Sequence, residues 1–599
     1  MKSLEIKNKI YKTLLIIPLI LFYPFSVFSE GFTEADSAKL KKDMEKVFND
    51  SKAFSRAEKR KFKKFGLLRK CQKGYKLGIG RCYKPCKEGF KGIGPSCWKL
   101  CKKGYRDMGL TCHKKGSFKN YYKRKVVKRK SEAPIIWGIS KPKNIKYIRD
   151  EKGRALILRG VNSSNTSKKR KNKFLPWINE KAVIQETRDF GFNGVRFLIF
   201  WAGIEPKRGV YNDKYLDEVA KRVKWYTDNG AYVFLDMHQD IYGYGVRGGN
   251  GAPEWATETG IVSKYKKTDL TKLNPALKKM WWLNAANPAV VNAYDNFWRY
   301  TKHKYLQDHY VKAWQRVAKK FKNNPKVIGY DLMNEPHSGD ISPFFEAKRL
   351  KDFYNRVIKG IRKIDKDKYL FIEPRSFGVN FGMPSFLPKI KDPRPGPAKI
   401  VYAPHIYPLL IHEDVPYGSV DRRSVARWSK NRTMEIKRLG GVPLVAGEIG
   451  GNDATHGFKN YLEEAFNMLD YMGAGWTWYS NAPSKKVGKG WSIVTRDLKE
   501  NPKVDLLVRT YPRAIAGDPK GFTYDMHTKD FQLRFKTRTD IKGPTEIFVP
   551  KRHYPNGFDI KVFHKTESDW EKKWDDNRQI LYITTKHSDT PYIIKITRK

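Results

Sequence analysis

Between residues 155 and 480, eight short apolar runs alternate with amphipathic stretches. This alternation constrains the fold more than any other feature. The runs are ALILRGVN (155–162), GVRFLIF (194–200), YVFLDMH (232–238), VIGYDLMNEP (327–336), YLFIEP (369–374), KIVYAPHIY (399–407), PLVAGEIG (443–450) and GAGWTWYS (473–480). Between them, LDEVAKRVKWYTDNG and YVKAWQRVAKKF carry apolar residues at helical spacing. Strands that are apolar on both faces must be covered on both faces, which parallel strands with crossover helices achieve. Eight such units predict an α/β fold, a (β/α)8 TIM barrel over 146–510. The interval 241–310 is long for one loop and one helix and is expected to form a lid or rim over the barrel mouth.

The flanks differ in texture. Residues 1–29 have lysines at 2, 7, 9 and 12 before an apolar run ending near Val27, a signal-peptide pattern that predicts a secreted or lumenal protein. Residues 30–70 predict short helices. Residues 71–115 hold all six cysteines in three tandem units, CQKGYKLGIGRCYKP, CKEGFKGIGPSCWKL and CKKGYRDMGLTCHKK. Repeats this small need cross-links, and the spacing lacks the close CxxC pairs of structural zinc sites. Cys71, Cys82, Cys86, Cys97, Cys101 and Cys112 are therefore expected to form disulfides in a small cysteine-rich repeat module, with the pairing left open. Residues 116–145 read as a basic linker. The β-rich segments in 511–599 predict a C-terminal β-sandwich.

The net charge is +59, from 120 Lys and Arg against 61 Asp and Glu. The lysines are spread along the chain instead of gathered on one motif, which argues against nucleic-acid binding. Such a surface suits peripheral contact with an anionic membrane. Sequons stand at Asn49, Asn162, Asn165 and Asn431.

Chemistry in such a barrel sits at the C-terminal strand ends. Those ends carry Asn162, Arg196, His238, Asn334, Glu335, Glu373, His405, Tyr407, Glu448 and Trp478. Glu335 and Glu448 close two long apolar strands, where a carboxylate is costly without a partner or a task. Two carboxylates facing each other across a barrel mouth are what glycoside hydrolysis requires, and that reaction needs no metal or cofactor. In DMHQD, the residues Asp236, His238 and Asp240 share one direction on a strand and its exit, but no fourth ligand has a place beside them.

VIGYDLMNEP, with Asn334 and Glu335, resembles the acid/base strand of glycoside hydrolase family 5. AGEIG, with Glu448, resembles that family's nucleophile strand. DMHQDIYG, GNGAPEWAT, the WW…NPAVVNAYDNFW stretch and RTYPRAIAGDPKGFTYD…TEIFVPKRHYP resemble its endoglycoceramidase group over about residues 150–599. The resemblance implies a retaining enzyme that frees the glycan of a glycosphingolipid from ceramide. It makes Glu335 the general acid/base, with a raised pKa, and Glu448 the ionised nucleophile. Arg196 and Tyr407 would hold Glu448, and His405 would tune Glu335 or touch sugar. Asn334 would donate to the sugar 2-hydroxyl, and His238 and Asp240 would bind hydroxyls. Trp478 would lie under the sugar ring. Met280, Trp281, Trp282, Leu283 and Phe297 are candidates for contact with the lipid. Two other readings remain open: a β-glucosidase of the same family acting on glucosylceramide, steryl glucoside or another β-glucan, and a non-catalytic surface or adhesion protein. A monomer is expected.

Overall fold

The structure is a computed structural model that describes residues 145–599 apart from 273–280, 340–344, 489 and 564–568, with Pro142 and short stretches between residues 76 and 128. The chain divides into two units, Met1–Ser131 and Glu132–Lys599. The segments expected to be a signal peptide and short helices lie outside the described residues, as does Met280.

In the first unit, one antiparallel hairpin falls in each cysteine repeat. Lys76–Leu77 pairs with Cys82–Tyr83, Phe90–Ile93 with Ser96–Lys99, and Tyr105–Asp107 with Thr111–Lys114. One disulfide, Cys101–Cys112, is seen among the described residues, with its Cα atoms 5.7 Å apart. The stretch read as a linker is not wholly one. Val126–Lys128 adds a third strand to the second hairpin, and Tyr121–Lys123 adds one to the third. Their β-branched and aromatic residues favour strands, a preference hidden by the surrounding lysines.

The second unit opens with β1 (Ile148–Arg149) and β2 (Ala155–Leu156), then enters a parallel eight-stranded barrel. Its strands are β3 (Arg159–Asn162), β4 (Gly194–Ile199), β5 (Tyr232–Met237), β6 (Val327–Asp331), β7 (Tyr369–Ile372), β8 (Ile400–Tyr402), β9 (Val445–Ile449) and β10 (Gly475–Trp478). Parallel bridges from Tyr402 to Leu444 and from Ile406 to Ile449 close β8 against β9. Strand period two sorts the interior into layers. Phe234 and Phe371 stack low in the barrel, ring centroids 4.3 Å apart, among Leu158, Val401 and Val445. Two residues further along the same strands come Asp236 and Glu373, in a charged upper layer. Gly160 and Gly194 allow β3 and β4 to approach closely, since a Cβ on Gly160 would stand 1.7 Å from the Gly194 carbonyl oxygen.

The outer helices follow from their apolar stripes. In α1 (Asp213–Asp228), the Asn212 side chain caps the Tyr215 N–H, and Tyr215, Leu216, Val219, Val223 and Tyr226 are buried on one face. The insertion after β5 holds several 3₁₀ turns and α2 (Pro288–Trp298), followed by α3 (Lys304–Phe321). The later helices are α4 (Lys351–Arg362), α5 (Ser419–Leu439) and α6 (Phe458–Met472). No described helix is long and apolar enough to cross a membrane.

A separate C-terminal domain follows. β11 (Tyr511–Ile515), β12 (Gly517–Tyr524), β13 (Phe531–Thr537), β14 (Thr545–Phe548), β15 (Phe558–Phe563), β16 (Trp570–Asp575), β17 (Ile580–Thr585) and β18 (Pro591–Arg598) form antiparallel sheets ordered β16-β17-β14-β11-β2-β1 and β12-β13-β18-β15. Alternate residues, such as Phe531, Leu533 and Phe535 on β13, are buried. The run read as one strand, 155–162, is therefore two. Ala155 pairs with Ile515 of the C-terminal sheet, while Gly160 pairs with Gly194 in the barrel.

Candidate active site

Arg196, fully buried on β4, is the hub of the upper layer. Its Nε donates to Asp331 (2.8 Å), Nη1 to Glu448 (2.8 Å) and Asn162 (3.0 Å), and Nη2 to Glu373 and Asn334 (2.8 Å each). Asp236 lies 3.0 Å from Nη2. Burial works against the guanidinium's charge, but four carboxylates outweigh it and hold its pKa well above normal. Arg196 and the neighbouring His405 do not offset the burial of all four anions. Burial, together with the other carboxylates, pushes Asp331 up to about 6 and Glu373 up to about 7, and Asp236 is also raised.

Glu448 goes the other way. Burial would raise its pKa, yet His405 and Arg196 outweigh burial and hold it below the usual carboxylate range. The Tyr407 hydroxyl donates to its Oε2 at 2.7 Å. Burial and the Glu448 charge keep Tyr407 protonated, and so a donor. Glu335 sits just past β6, 23% exposed at its side chain. Asn380 Nδ2 donates to its Oε1 at 2.6 Å, and His405 Nδ1 lies 2.8 Å from the same oxygen. Burial opposes protonation of His405, but Glu373 and Glu448 overcome it and raise its pKa well above normal. Glu335 has φ +43°, a left-handed conformation unfavourable for a side-chain-bearing residue. It is held there from both sides: its N–H donates to Glu373 Oε2 (2.8 Å), and Gln239 Nε2 donates to its carbonyl (3.0 Å). Glu373 thus anchors the Glu335 backbone.

One oxygen of Glu335 and one of Glu448 lie within 4.8 Å of each other, with a His405 nitrogen inside the same span. Retaining glycosidases place their carboxyl groups about 5–5.5 Å apart, inverting ones about 6.5–9.5 Å, and the close approach of this pair matches the retaining spacing. Both line a cavity of about 790 Å³. Lys168, Gln239 and Asp240 form one polar stretch of its wall, while Trp281, Trp282, Phe377, Phe381 and Trp491 supply aromatic surface.

The other expected residues distribute unevenly. Asp240 lines the cavity and accepts from Lys168 and from Asn250 Nδ2 (2.8 Å). Burial would raise its pKa, but Lys168 reverses this and keeps it ionised. His238 is buried, with Nδ1 2.7 Å from Asp236 and Nε2 3.5 Å from Asp240. Asn334 is buried; its amide nitrogen donates to the Gln239 carbonyl at 2.8 Å. Trp281 and Trp282 line the cavity, and Trp282 Nε1 donates to Glu413 at 3.0 Å. Phe297 does not reach it, being packed against Trp201, Tyr310 and Phe353.

Trp478 requires a correction. It has no exposed surface and packs edge-on to Phe458, with its indole N–H on the Trp491 carbonyl (3.0 Å). The cavity-lining ring at that strand end is Tyr479, because successive strand residues point to opposite faces. Reasoning from sequence also missed Lys168, Asn380, Asp331 and Trp491. Lys168 is hidden in the lysine-rich run TSKKRKNK, and Asp331 lies inside VIGYDLMNEP, where its inward register was the available signal.

A carboxylate pair at this separation, on the C-terminal ends of (β/α)8 strands, defines a glycoside hydrolase. Residues 149–485 match the family described as Cellulase (glycosyl hydrolase family 5), and residues 509–597 match the glycoside hydrolase family 5 C-terminal domain. The chain belongs to glycoside hydrolase family 5, and within it is related to the endoglycoceramidase group. It is 30% identical over 435 residues to endoglycoceramidase I of Rhodococcus hoagii (strain 103S), covering 69% of this chain and 81% of that protein. It is 27% identical over 417 residues to the endoglycoceramidase of Cyanea nozakii, covering 64% and 78%. The solved lactosyl-enzyme intermediate of endo-glycoceramidase II from Rhodococcus sp. is similar at 35% identity and TM-score 0.67, covering 76% of this chain and 100% of that one. The ganglioside GM3 complex of the same protein is similar at 34% identity and TM-score 0.68, with the same coverage.

Proposed function

We propose that this protein is a retaining endo-β-glycosidase that releases the intact glycan from the ceramide of glycosphingolipids. The observation that carries the reading is the approach of Glu335 and Glu448 to within 4.8 Å at a cavity with a polar wall and an aromatic one. The relatives support the substrate class: one was solved as a lactosyl-enzyme intermediate and as a ganglioside complex.

Glu448, ionised and oriented by Arg196 and Tyr407, attacks the anomeric carbon. Glu335 gives its proton to the leaving oxygen, so ceramide departs as the alcohol and a glycosyl ester remains on Glu448. Because Oε1 of Glu335 is occupied by His405 and Asn380, Oε2 is the oxygen assigned to carry that proton. In the second step Glu335 takes a proton from water, the water oxygen attacks the anomeric carbon, and Glu448 is released. His405 tunes Glu335. Asn334, His238, Asp240 and Lys168 bind sugar hydroxyls, and Tyr479 takes the place under the sugar ring first given to Trp478. Trp281 and Trp282 meet the lipid.

Defined glycolipids test this. Lactosylceramide should yield free lactose and ceramide, with glucosylceramide turned over poorly; the reverse preference would favour the β-glucosidase reading. Glu448→Gly should lower turnover by on the order of 10³-fold or more. With azide it should form an α-glycosyl azide, whereas Glu335→Ala with azide should form the β-anomer. Full turnover by Glu448→Gly would sink the mechanism.

The front of the chain enters the same proposal. Residues 1–29 direct secretion or lumenal delivery, and the six cysteines cross-link the three repeats. The Cys101–Cys112 bond supports the second part. Peptide mapping without reductant should find no free thiol, and a reduced pair in the secreted protein would contradict it.

A further inference from the structure

We propose that the outer face of α5, together with the loop packed along it, is a docking surface for an anionic lipid bilayer, continuous with the mouth of the substrate cavity. The purpose of such a surface rests on the glycolipid reading above; its geometry does not.

On α5 the exposed positions Arg423, Arg427, Lys430, Met434 and Lys437 recur every three or four residues and so form one stripe. The helix has two acidic residues, and both face inward: Asp421 is 0% exposed and Glu435 is 1% exposed. Among the described residues, Arg423, Arg427 and Lys437 make no ion pair with a carboxylate. Three of the five positions on this outward stripe are thus cations without a carboxylate partner among the described residues.

The neighbouring loop presents Phe377, Met383 and Phe386 at 51%, 45% and 55% exposure. Their outward placement is built in. Arg432 donates to the carbonyls of Val379 (3.2 Å) and Met383 (2.6 Å), Asn431 to Gly382 (2.7 Å), and Arg438 to Ser385 (2.8 Å) and Leu387 (2.9 Å). A backbone anchored this way holds its apolar side chains in water, a costly arrangement unless something covers them. Phe377 also lines the cavity beside Phe381, their ring centroids 6.3 Å apart. Cations for headgroups, apolar side chains for the acyl boundary and a direct path to the carboxylates thus lie on one continuous surface.

The test uses the full chain and vesicles of phosphatidylcholine with and without phosphatidylserine. The wild type should co-sediment with the anionic vesicles only, and salt should release it. Each surface cation is worth about fivefold in partitioning, so Arg423→Gln/Arg427→Gln/Lys437→Gln should weaken binding on the order of 100-fold. Met383→Ser/Phe386→Ser should slow hydrolysis of lactosylceramide embedded in those vesicles, with detergent-solubilised lactosylceramide turned over as by the wild type. A thermal melt checks that both variants are folded. Equal binding to neutral vesicles overturns the proposal. So does a triple variant that still binds like the wild type, since the charge would then act from elsewhere, such as residues 121–130. Binding to soluble polyglutamate but to no vesicle also overturns it. If vesicle binding follows the variants but no glycolipid is cleaved even in detergent, the docking surface stands and the glycolipid reading falls.

Discussion

At the residue scale, the hydroxyl of Tyr407, 2.7 Å from Glu448 Oε2, is a donor that favours the charged nucleophile. Tyr407→Phe removes it and leaves Arg196 in place. The Glu448 pKa should then rise, so the acid limb of the kcat/KM profile should move to higher pH, with turnover lower by about 10- to 100-fold. A profile that drops uniformly without shifting would mean that Tyr407 only packs. The two catalytic glutamates were legible because an acid ending a buried strand has few structural explanations. The cavity-facing ring was read one residue early: Trp478 and Tyr479 are both aromatic, and only the register shows which of them faces the cavity. Lys168 was not legible at all, because in a chain with 120 Lys and Arg one more lysine carries no signal.

At the element scale, Glu186 links three pieces of the barrel wall. It lies just after the short helix Glu180–Ile184 and accepts from Tyr226 of α1 (2.8 Å) and from Asn481 beyond β10 (2.9 Å). Burial pushes its pKa up to about 7, despite those two donors. The folded state then holds this proton more tightly than the unfolded chain does. Its contribution is present at low pH and is lost as pH rises from the unfolded value, about 4.5, through about 7. In Glu186→Gln that loss disappears. Urea unfolding at pH 5 and pH 8 should show the wild type losing up to roughly 3 kcal/mol more than the variant across that interval. Parallel losses would show that Glu186 does not titrate there. The strand at 155–162 was misread at this scale, since ALILRGVN is continuous in β character and its break between two sheets depends on partners elsewhere in the chain.

At the scale of the whole molecule, the barrel and the C-terminal domain share structure. β1 and β2 precede the barrel but complete the six-stranded sheet. Asp470 of α6 pairs with Arg159 of β3 and with Arg509, and both Tyr511 and Arg513 donate to the Gly191 carbonyl (2.7 and 2.8 Å). A fragment of residues 146–508 would keep β1 and β2 without the sheet they complete, and Asp470 would lose one of its two arginine partners. It should be insoluble or melt well below the full protein, as circular dichroism and solubility would report. A soluble fragment with a cooperative melt near that of the full protein would contradict this. The sequence by itself determined the barrel and the pair of carboxylates, because period-two and helical patterns and a strand-end acid are local and survive without knowledge of neighbours. The four-anion layer around Arg196, the strand shared with the C-terminal sheet and the choice of Tyr479 over Trp478 were decided only by the tertiary structure. Each depends on which residues meet across the sheet, and register and burial arise from packing between segments far apart in the chain.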